Sequence, residues 1–450
     1  MKTIRAAYST VQTVLGNQKY KQNADYKKTL FCVEADRSEG RLLYHTLTGE
    51  LLLLEDCELE SWNQDLMMKK TMAEHWFLVP RGMDEIKQCD QLRYVAGLLQ
   101  KERPYVNHFI VFPTTDCNAR CFYCFEHGQR RYSMSEQTAA DVADYMLAQA
   151  KGETIRIRWF GGEPLFNAGA IDIISEKLRQ HGADYKASMV SNTYLFDEDM
   201  IARARELWHL KHVLVTIDGT EEVYNRTKAY IYREGSAYRR VLRNIRGLID
   251  AEIGVTVNLL MDAGNASIMF DLADELGQLF SGSAHFKARG GLLIEYVGKL
   301  HAFASVEEAL STAKRLNERL ESHGIREHRR LRSNMKLHCC MADDIHSVTI
   351  LPDGRLGRCE HFGDSEAVGS IYGFWDNAKA HEWKAVKPVE ERCRTCPFYP
   401  HCFRLKKCNS SPDTCDELFQ GKYRMYFLDL MQNTFEHNLK KMEDWDESDM

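Results

Sequence analysis

From about residue 106 the chain alternates, with short apolar runs that read as strands separated by stretches that read as amphipathic helices. HFIVF (108–112), IRIRWF (155–160), ASMV (187–190), HVLVTI (212–217) and GVTVNLL (254–260) are the first five runs, and a sixth lies around 284–297. Between the first two, Ala139, Val142, Ala143, Met146, Leu147 and Ala150 fall on one helical face, and Ser133 with Glu136 fits a capping box. Strands joined through helices run parallel, because each crossover returns the chain to the same end of the sheet. A closed eight-unit barrel takes about 250 residues. Six units therefore predict an α/β fold with a partial (β/α)6 TIM barrel over 106–300. Its chemistry belongs at the C-terminal ends of the strands.

The flanks read differently. Residues 1–95 hold TLFCVEA (29–35), a turn at DRSEG, RLLYHTLTGELLLL (41–54), an amphipathic helix over 57–75, the strand WFLVP (76–80) and a helix over 83–100. Ile86, Cys89, Leu92, Val95 and Leu99 mark the buried face of that last helix. The pattern predicts a small α+β winged-helix domain, whose strand edge can capture an extended peptide; a packing or dimerisation domain is the other reading. Residues 301–335 predict a bridging helix, opened by Ser305 and Glu308 as a capping box. It is followed by the basic run REHRRLR (326–332), a solvated face or a contact for an acidic peptide. SVTILPDGRLGRC (347–359) reads as a hairpin turned at Asp353–Gly354. A C-terminal helix and an acidic tail, MEDWDESDM, expected to fray, occupy 421–450.

The cysteines set the chemistry. Fourteen of them without an apolar export segment point to metal or redox chemistry, not a disulfide framework, and to a cytoplasmic location. No apolar run is long enough to span a membrane, and a net charge of −6 argues against a nucleic-acid partner. Cys32, Cys57 and Cys89 are scattered and read as small buried hydrophobes, whereas eight crowd between Cys339 and Cys415. The remaining three, in TTDCNARCFYCFEHG (114–128), stand at C-x3-C-x2-C spacing with no fourth nearby. A closed structural zinc site needs four ligands. Three thiolates instead suit three corners of a four-iron four-sulfur cube, leaving one iron open; a zinc or redox loop borrowing a remote ligand is the alternative.

The loop resembles the signature of the radical S-adenosylmethionine superfamily, C-x3-C-x-aromatic-C, matched by Cys117, Cys121, Tyr123 and Cys124. The resemblance implies that the open iron chelates S-adenosylmethionine, whose cleavage gives a hydrogen-abstracting 5′-deoxyadenosyl radical. It also implies cofactor contacts from WFGGEP (159–164), through Gly161, Gly162 and Glu163, and from Ser191 and Asn192 of SNT (191–193), which lacks the family's usual glycine. TIDG (216–219) resembles the family's S-[IL]-D-G. Asp218 is the candidate catalytic residue there, orienting cofactor or substrate, although capping the next helix is an equal reading. Asn258 is a candidate ribose contact.

The second cysteine group resembles the SPASM extension of the same superfamily, from Cys340 through Gly354 and Cys359 to Cys393-x2-Cys396-x5-Cys402, Cys408 and Cys415. One departure is the five residues between Cys402 and Cys408, where the family has three. Over residues 336–420 the resemblance implies two auxiliary clusters, making three four-iron four-sulfur clusters in all. Cys393, Cys396, Cys402 and Cys415 would hold the outer one; Cys359, Cys408 and Cys340, with or without Cys339, would hold the inner. A pair of zinc ribbons is the competing reading. The front domain resembles the precursor-recognition element of radical-SPASM peptide maturases. The implied activity is oxidative cross-linking of a ribosomally made precursor peptide gripped by its leader, with a thioether favoured over a carbon–carbon or carbon–oxygen link. A flavodoxin- or ferredoxin-type protein would donate electrons. A formylglycine-forming maturase and a catalytically silent peptide-binding scaffold with structural metals are the other expectations.

Overall fold

The computed structural model describes residues 1–55, 58, 65–101, 105–293, 302–361, 366–408 and 415–448, and side chains at 99–101 and 440–448 are outside that description. Cys57 and the end of the sixth strand-like run, 294–297, thus lie outside the described residues. The chain packs as two compact units. One comprises residues 1–103, 328–340 and 384–450, the other residues 104–327 and 341–383, and the segments expected from sequence are distributed over these two.

In the first unit, β1 (Lys2–Arg5), β3 (Cys32–Arg37), β4 (Gly40–His45) and β5 (Leu51–Leu54) form an antiparallel sheet in the order β1-β5-β4-β3, while β2 (Tyr26–Lys28) pairs with β6 (Leu78–Pro80). The run 41–54 is a hairpin and not one strand. Gly49, at φ 78°, turns it, donating its N–H to the His45 carbonyl at 2.7 Å. A Cβ at Gly49 would sit 2.3 Å from the Tyr8 ring, so the turn is closed by that aromatic. Of the helix expected over 57–75, the described part is Leu66–Glu74, capped by Asp65, which accepts from the Met67 N–H at 2.8 Å. The helix Glu85–Lys101 buries Ile86, Cys89 and Leu92 as expected, but Ala96 takes the next inward position and Val95 is exposed. The helical repeat has turned the stripe by one residue.

The sheet does not bury its face alone. Val33, Leu42, Tyr44, Leu51 and Leu53 pack against Phe398, Phe427, Leu430, Met431 and Phe435. The last four lie on the helix Glu417–Ser448, which continues into the segment expected to fray.

The second unit holds β7 (His108–Val111), β8 (Ile155–Trp159), β9 (Tyr185–Val190), β10 (Leu210–Thr216), β11 (Gly254–Met261) and β12 (Phe286–Leu292), each parallel to the next. This parallel α/β sheet in sequential order is consistent with a partial barrel. On β8 the alternation is visible, with Ile155, Ile157 and Trp159 buried and Arg156 turned outward. β13 (Ser347–Ile350) and β14 (Arg355–Gly357) form the expected hairpin, with Gly354 at φ 81° in its turn. What sequence did not foresee is that β13 also pairs parallel with β7, and that β15 (Gly369–Ser370) extends the sheet to nine strands.

The helix Glu136–Ala150 buries Ala139, Val142, Ala143, Met146 and Ala150. Its cap is Ser135, which accepts from the Thr138 N–H at 3.1 Å; Ser133 is instead engaged with the Thr114 hydroxyl at 2.8 Å. Ser305 does cap Val306–Ser322, accepting from the Glu308 N–H at 3.0 Å.

Candidate active site

The segments at the C-terminal ends of β7 to β10 converge on the cysteine loop. Cys117, Cys121 and Cys124 are each partly buried. Cys117 Sγ accepts from the Ala119 N–H at 3.4 Å, and the Cys124 N–H bonds the Cys121 carbonyl at 3.2 Å. Burial pushes the Cys117 thiol up to about 12, and the charges of Glu163, Cys121 and Cys124 push the same way. The thiols of Cys121 and Cys124 are thus close enough to act on Cys117. A cationic centre would offset this rise at Cys117, because ligation needs thiolates.

The two glycines after β8 serve this loop. Gly161 has φ 120°, and a Cβ there would lie 2.3 Å from the Thr114 carbonyl oxygen. At Gly162 it would lie 2.2 Å from the Asp116 carbonyl oxygen. The backbone N–H of Gly162 reaches Thr114 O at 3.2 Å and that of Glu163 reaches Asp116 O at 2.9 Å. The glycines let the backbone of the cysteine loop approach closely. Gly162→Ala is accordingly expected to cost about 1–3 kcal/mol, the range for overpacking a closed contact. Thermal denaturation measures this, and an unchanged midpoint would mean that the loop yields freely.

Glu163 is fully buried. Its Oε1 accepts from the Ser191 hydroxyl at 2.8 Å and the Leu165 N–H at 3.2 Å, and its Oε2 from the Asn192 N–H at 2.8 Å. Burial raises its pKa to about 7 against the pull of these donors and of Lys228. The carboxyl thus fixes the end of β9 rather than standing open. Asn192 in turn donates to Asn118 Oδ1 at 2.7 Å, and the fully buried Asn118 keeps Nδ2 without a hydrogen-bond partner among the described residues. The next residue, Thr193, has φ 60°. The missing glycine of the SNT step is therefore replaced by a β-branched residue in left-handed conformation.

Asp218 does not cap the helix Glu221–Lys228, whose cap position is Thr220. It accepts from the Tyr123 hydroxyl at 2.7 Å and pairs with Lys228 Nζ at 3.1 Å, while Lys228 reaches Tyr123 Oη at 2.7 Å. Sequence reasoning missed Lys228, which is only 5% exposed. Burial alone would lower its pKa, but Asp218, Tyr123 and Cys121 together lift it well above the ordinary lysine value. Asn258, on β11, receives a hydrogen bond from Arg289, which also pairs with Glu327 at 3.1 Å. No motif marks Arg289; it stands opposite Asn258 in the register of β11 and β12.

In the first unit Cys393, Cys396, Cys402 and Cys415 line one cavity of about 50 Å³, walled by Phe398 and Tyr423. Burial pushes Cys396 up to about 11, and the charges of Cys402, Cys415 and Cys393 add to that. Among the described residues, no three His, Cys, Asp or Glu side chains are arranged around a single ion. The four thiols border a single cavity. Cys339, Cys340 and Cys408 belong to this unit and Cys359 to the other. Cys340 is exposed and Cys339 partly buried, its charge reaching Tyr423.

The trio's donor set, with Asn118 Nδ2 beside it buried and without a hydrogen-bond partner among the described residues, fits a cluster with one iron left to a further ligand. Comparison with known proteins agrees at the level of the domain. Residues 111–265 match the family model of the Radical SAM superfamily. A GTP 3',8-cyclase of Peptoclostridium acidaminophilum is 26% identical over 143 residues, 31% of this chain and 42% of that protein, so the match spans less than half of the relative. The fold is similar to anSMEcpe with bound AdoMet and Cp18Cys peptide, at TM-score 0.56 and 18% identity over 75% of this chain and 99% of that one. It is also similar to Streptococcus suis SuiB bound to the precursor peptide SuiA, at TM-score 0.53 and 12% identity over 88% and 100% of the two chains. No described helix is long and apolar enough to cross a membrane.

Proposed function

Proceeding from the radical SAM domain at residues 111–265, we propose that this chain is a peptide-modifying enzyme that uses S-adenosylmethionine and three four-iron four-sulfur clusters. The observation that carries the reading is the convergence, at one edge of a parallel sheet, of the thiol trio with the Glu163–Ser191–Asn192 chain and the Tyr123–Asp218 pair. Cys117, Cys121 and Cys124 hold the first cluster. When bound, cluster and cofactor together supply a one-electron cleavage that yields a hydrogen-abstracting 5′-deoxyadenosyl radical. The protein's own part is positional. Glu163 fixes Ser191 and Asn192, Asp218 fixes Tyr123, and Asn258 is fixed by Arg289.

Cys393, Cys396, Cys402 and Cys415 hold the outer auxiliary cluster, and Cys359, Cys408 and Cys340, with or without Cys339, the inner one. The substrate is a ribosomally made precursor peptide, a reading supported by the peptides bound in both structural neighbours. Its leader adds to the sheet of the first unit, where β3 is a terminal strand. The product is an oxidative cross-link, with thioether formation favoured. An external flavodoxin or ferredoxin supplies the electron.

Anaerobically reconstituted protein given dithionite and S-adenosylmethionine is expected to release 5′-deoxyadenosine. Protein with a full iron complement that releases none would leave the scaffold reading standing. With the cognate peptide, a thioether removes two hydrogen atoms and consumes a thiol. A carbon–carbon or carbon–oxygen link leaves the thiol open to alkylation, and formylglycine gives an aldehyde without a cross-link.

A further inference from the structure

We propose that Lys228 and Asp218 shift the reduction potential of the centre held by Cys117, Cys121 and Cys124 in opposite directions, each offsetting the other. The inference rests on the cluster reading above and adds a residue and a role to it. Lys228 lies 105 positions beyond Tyr123 in sequence, yet its Nζ stands 2.7 Å from the Tyr123 hydroxyl, inside the cysteine motif itself. Its only carboxylate partner among the described residues is Asp218, at 3.1 Å, with both side chains less than a tenth exposed.

The main chain carries Lys228 to the loop independently of its side chain. The Lys228 carbonyl accepts from the Arg120 N–H at 2.8 Å, and the Ile231 N–H reaches the Asn118 carbonyl at 2.9 Å. The helix that delivers it ends at Ala229, which takes φ 44°. The segment after this helix is thus stitched to the loop between Cys117 and Cys121 whatever side chain stands at 228.

Stability alone does not account for the ammonium. A buried ion pair is often matched or bettered by apolar residues of similar volume, and a methionine would fill the same space against the rings of Tyr123 and Tyr224, each within 6 Å of Nζ. What methionine lacks is charge beside a redox centre. Iron–sulfur potentials respond to nearby charge and hydrogen bonding, and charges out of water are screened less than in bulk solvent. A cation there favours the added electron and an anion opposes it. The pair as built cancels in net charge, so each member holds the other's effect in check. Other ionisable groups near the trio include Glu163, bonded to β9, Glu126, and Asp116, which faces Arg120 at 3.9 Å and Arg131 at 3.7 Å. The variants below leave them in place.

The test is a redox titration, followed by electron paramagnetic resonance, of the full chain reconstituted without oxygen. It reads the signal that responds to added S-adenosylmethionine in wild type, Lys228→Met, Asp218→Asn and the double variant. Lys228→Met is expected to lower the reduced-to-oxidised ratio at fixed potential about tenfold, or about 59 mV for a one-electron couple. Asp218→Asn is expected to raise it by a similar factor, and the double variant to return to within about threefold of wild type. A merely structural role moves both single variants the same way and the double variant further. Shifts of one sign, or none beyond threefold for Lys228→Met, overturn the proposal. If Lys228→Met does not fold, Asp218→Asn decides by its sign alone. A wild-type loop that binds no iron overturns this inference together with the cluster reading; bound iron with the wrong signs overturns this inference only.

Discussion

Replacing Cys117, Cys121 and Cys124 together by alanine is expected to reduce S-adenosylmethionine cleavage to background while about two-thirds of the iron stays bound, since one of the three proposed four-iron clusters is lost. The size of the effect follows from where the thiols stand. The trio stands at C-x3-C-x2-C spacing on the loop that follows β7, a spacing no other cysteines of the chain share. The substitution is also mild for the fold. The loop is held by main-chain bonds, from Arg120 N to Lys228 O, Ile231 N to Asn118 O and Glu163 N to Asp116 O, and none of these involves a sulfur. Lost activity should therefore come with a retained melting temperature. Iron determination, circular dichroism and quantified 5′-deoxyadenosine check it together. Cleavage persisting at the wild-type rate would place the reactive cluster elsewhere, and loss of all iron would deny the second cysteine group its own metal.

Much of this site could be read before the structure because its signals are local. The trio, Gly161–Glu163, Ser191–Asn192 and Asp218 each end or follow a run whose apolar character marks a strand, and strands parallel to one another place those ends along one edge. The residues missed are those whose role exists only in three dimensions. Lys228 sits in EEVYNRTK, which reads as a solvated helix, and nothing local shows that its last turn points inward. Arg289 gains its meaning from register with Asn258 on the neighbouring strand. Ser133 looked like a cap because it stands three residues before Glu136, but Thr114 claims its hydroxyl and Ser135 takes the helix. β1 has four residues, too few for a periodicity to register, and it becomes a strand by pairing with β5. Nor does any local pattern reveal that the last helix supplies the core of the first sheet.

That shared core makes a second large effect expected, because residues 1–95 look excisable in the sequence and are not so in the fold. Removing them takes away Val33, Leu42, Tyr44, Leu51 and Leu53 from one cluster, and Tyr8, Val11, Phe31, Ile86 and Leu92 from another. Phe398, Phe427, Leu430, Met431 and Phe435 lose their partners in the first cluster and Tyr399 in the second. A fully buried side chain of this size is worth about 1.5–3 kcal/mol, so exposing six costs roughly 9–18 kcal/mol. That is comparable to the whole net stability of a typical domain, about 5–15 kcal/mol. Phe398 lies between Cys396 and Cys402 and walls the cavity their thiols border, so the loss reaches the outer cysteine site directly. Tyr399, next to it, also loses the hydrogen bonds from its hydroxyl to Asp90 at 2.9 Å. A chain beginning at residue 96 is therefore expected to aggregate or bind a hydrophobic dye, and to fail to take iron at Cys393, Cys396, Cys402 and Cys415. Iron content and dye fluorescence measure both. A soluble truncated chain with its outer iron intact and a cooperative melt would show that the C-terminal helix and the cysteine segment hold each other without the sheet, and the strand edge could then be studied by deletion. Otherwise leader binding has to be tested by point substitution along β3 in the full chain, where loss of affinity with retained iron separates recognition from folding.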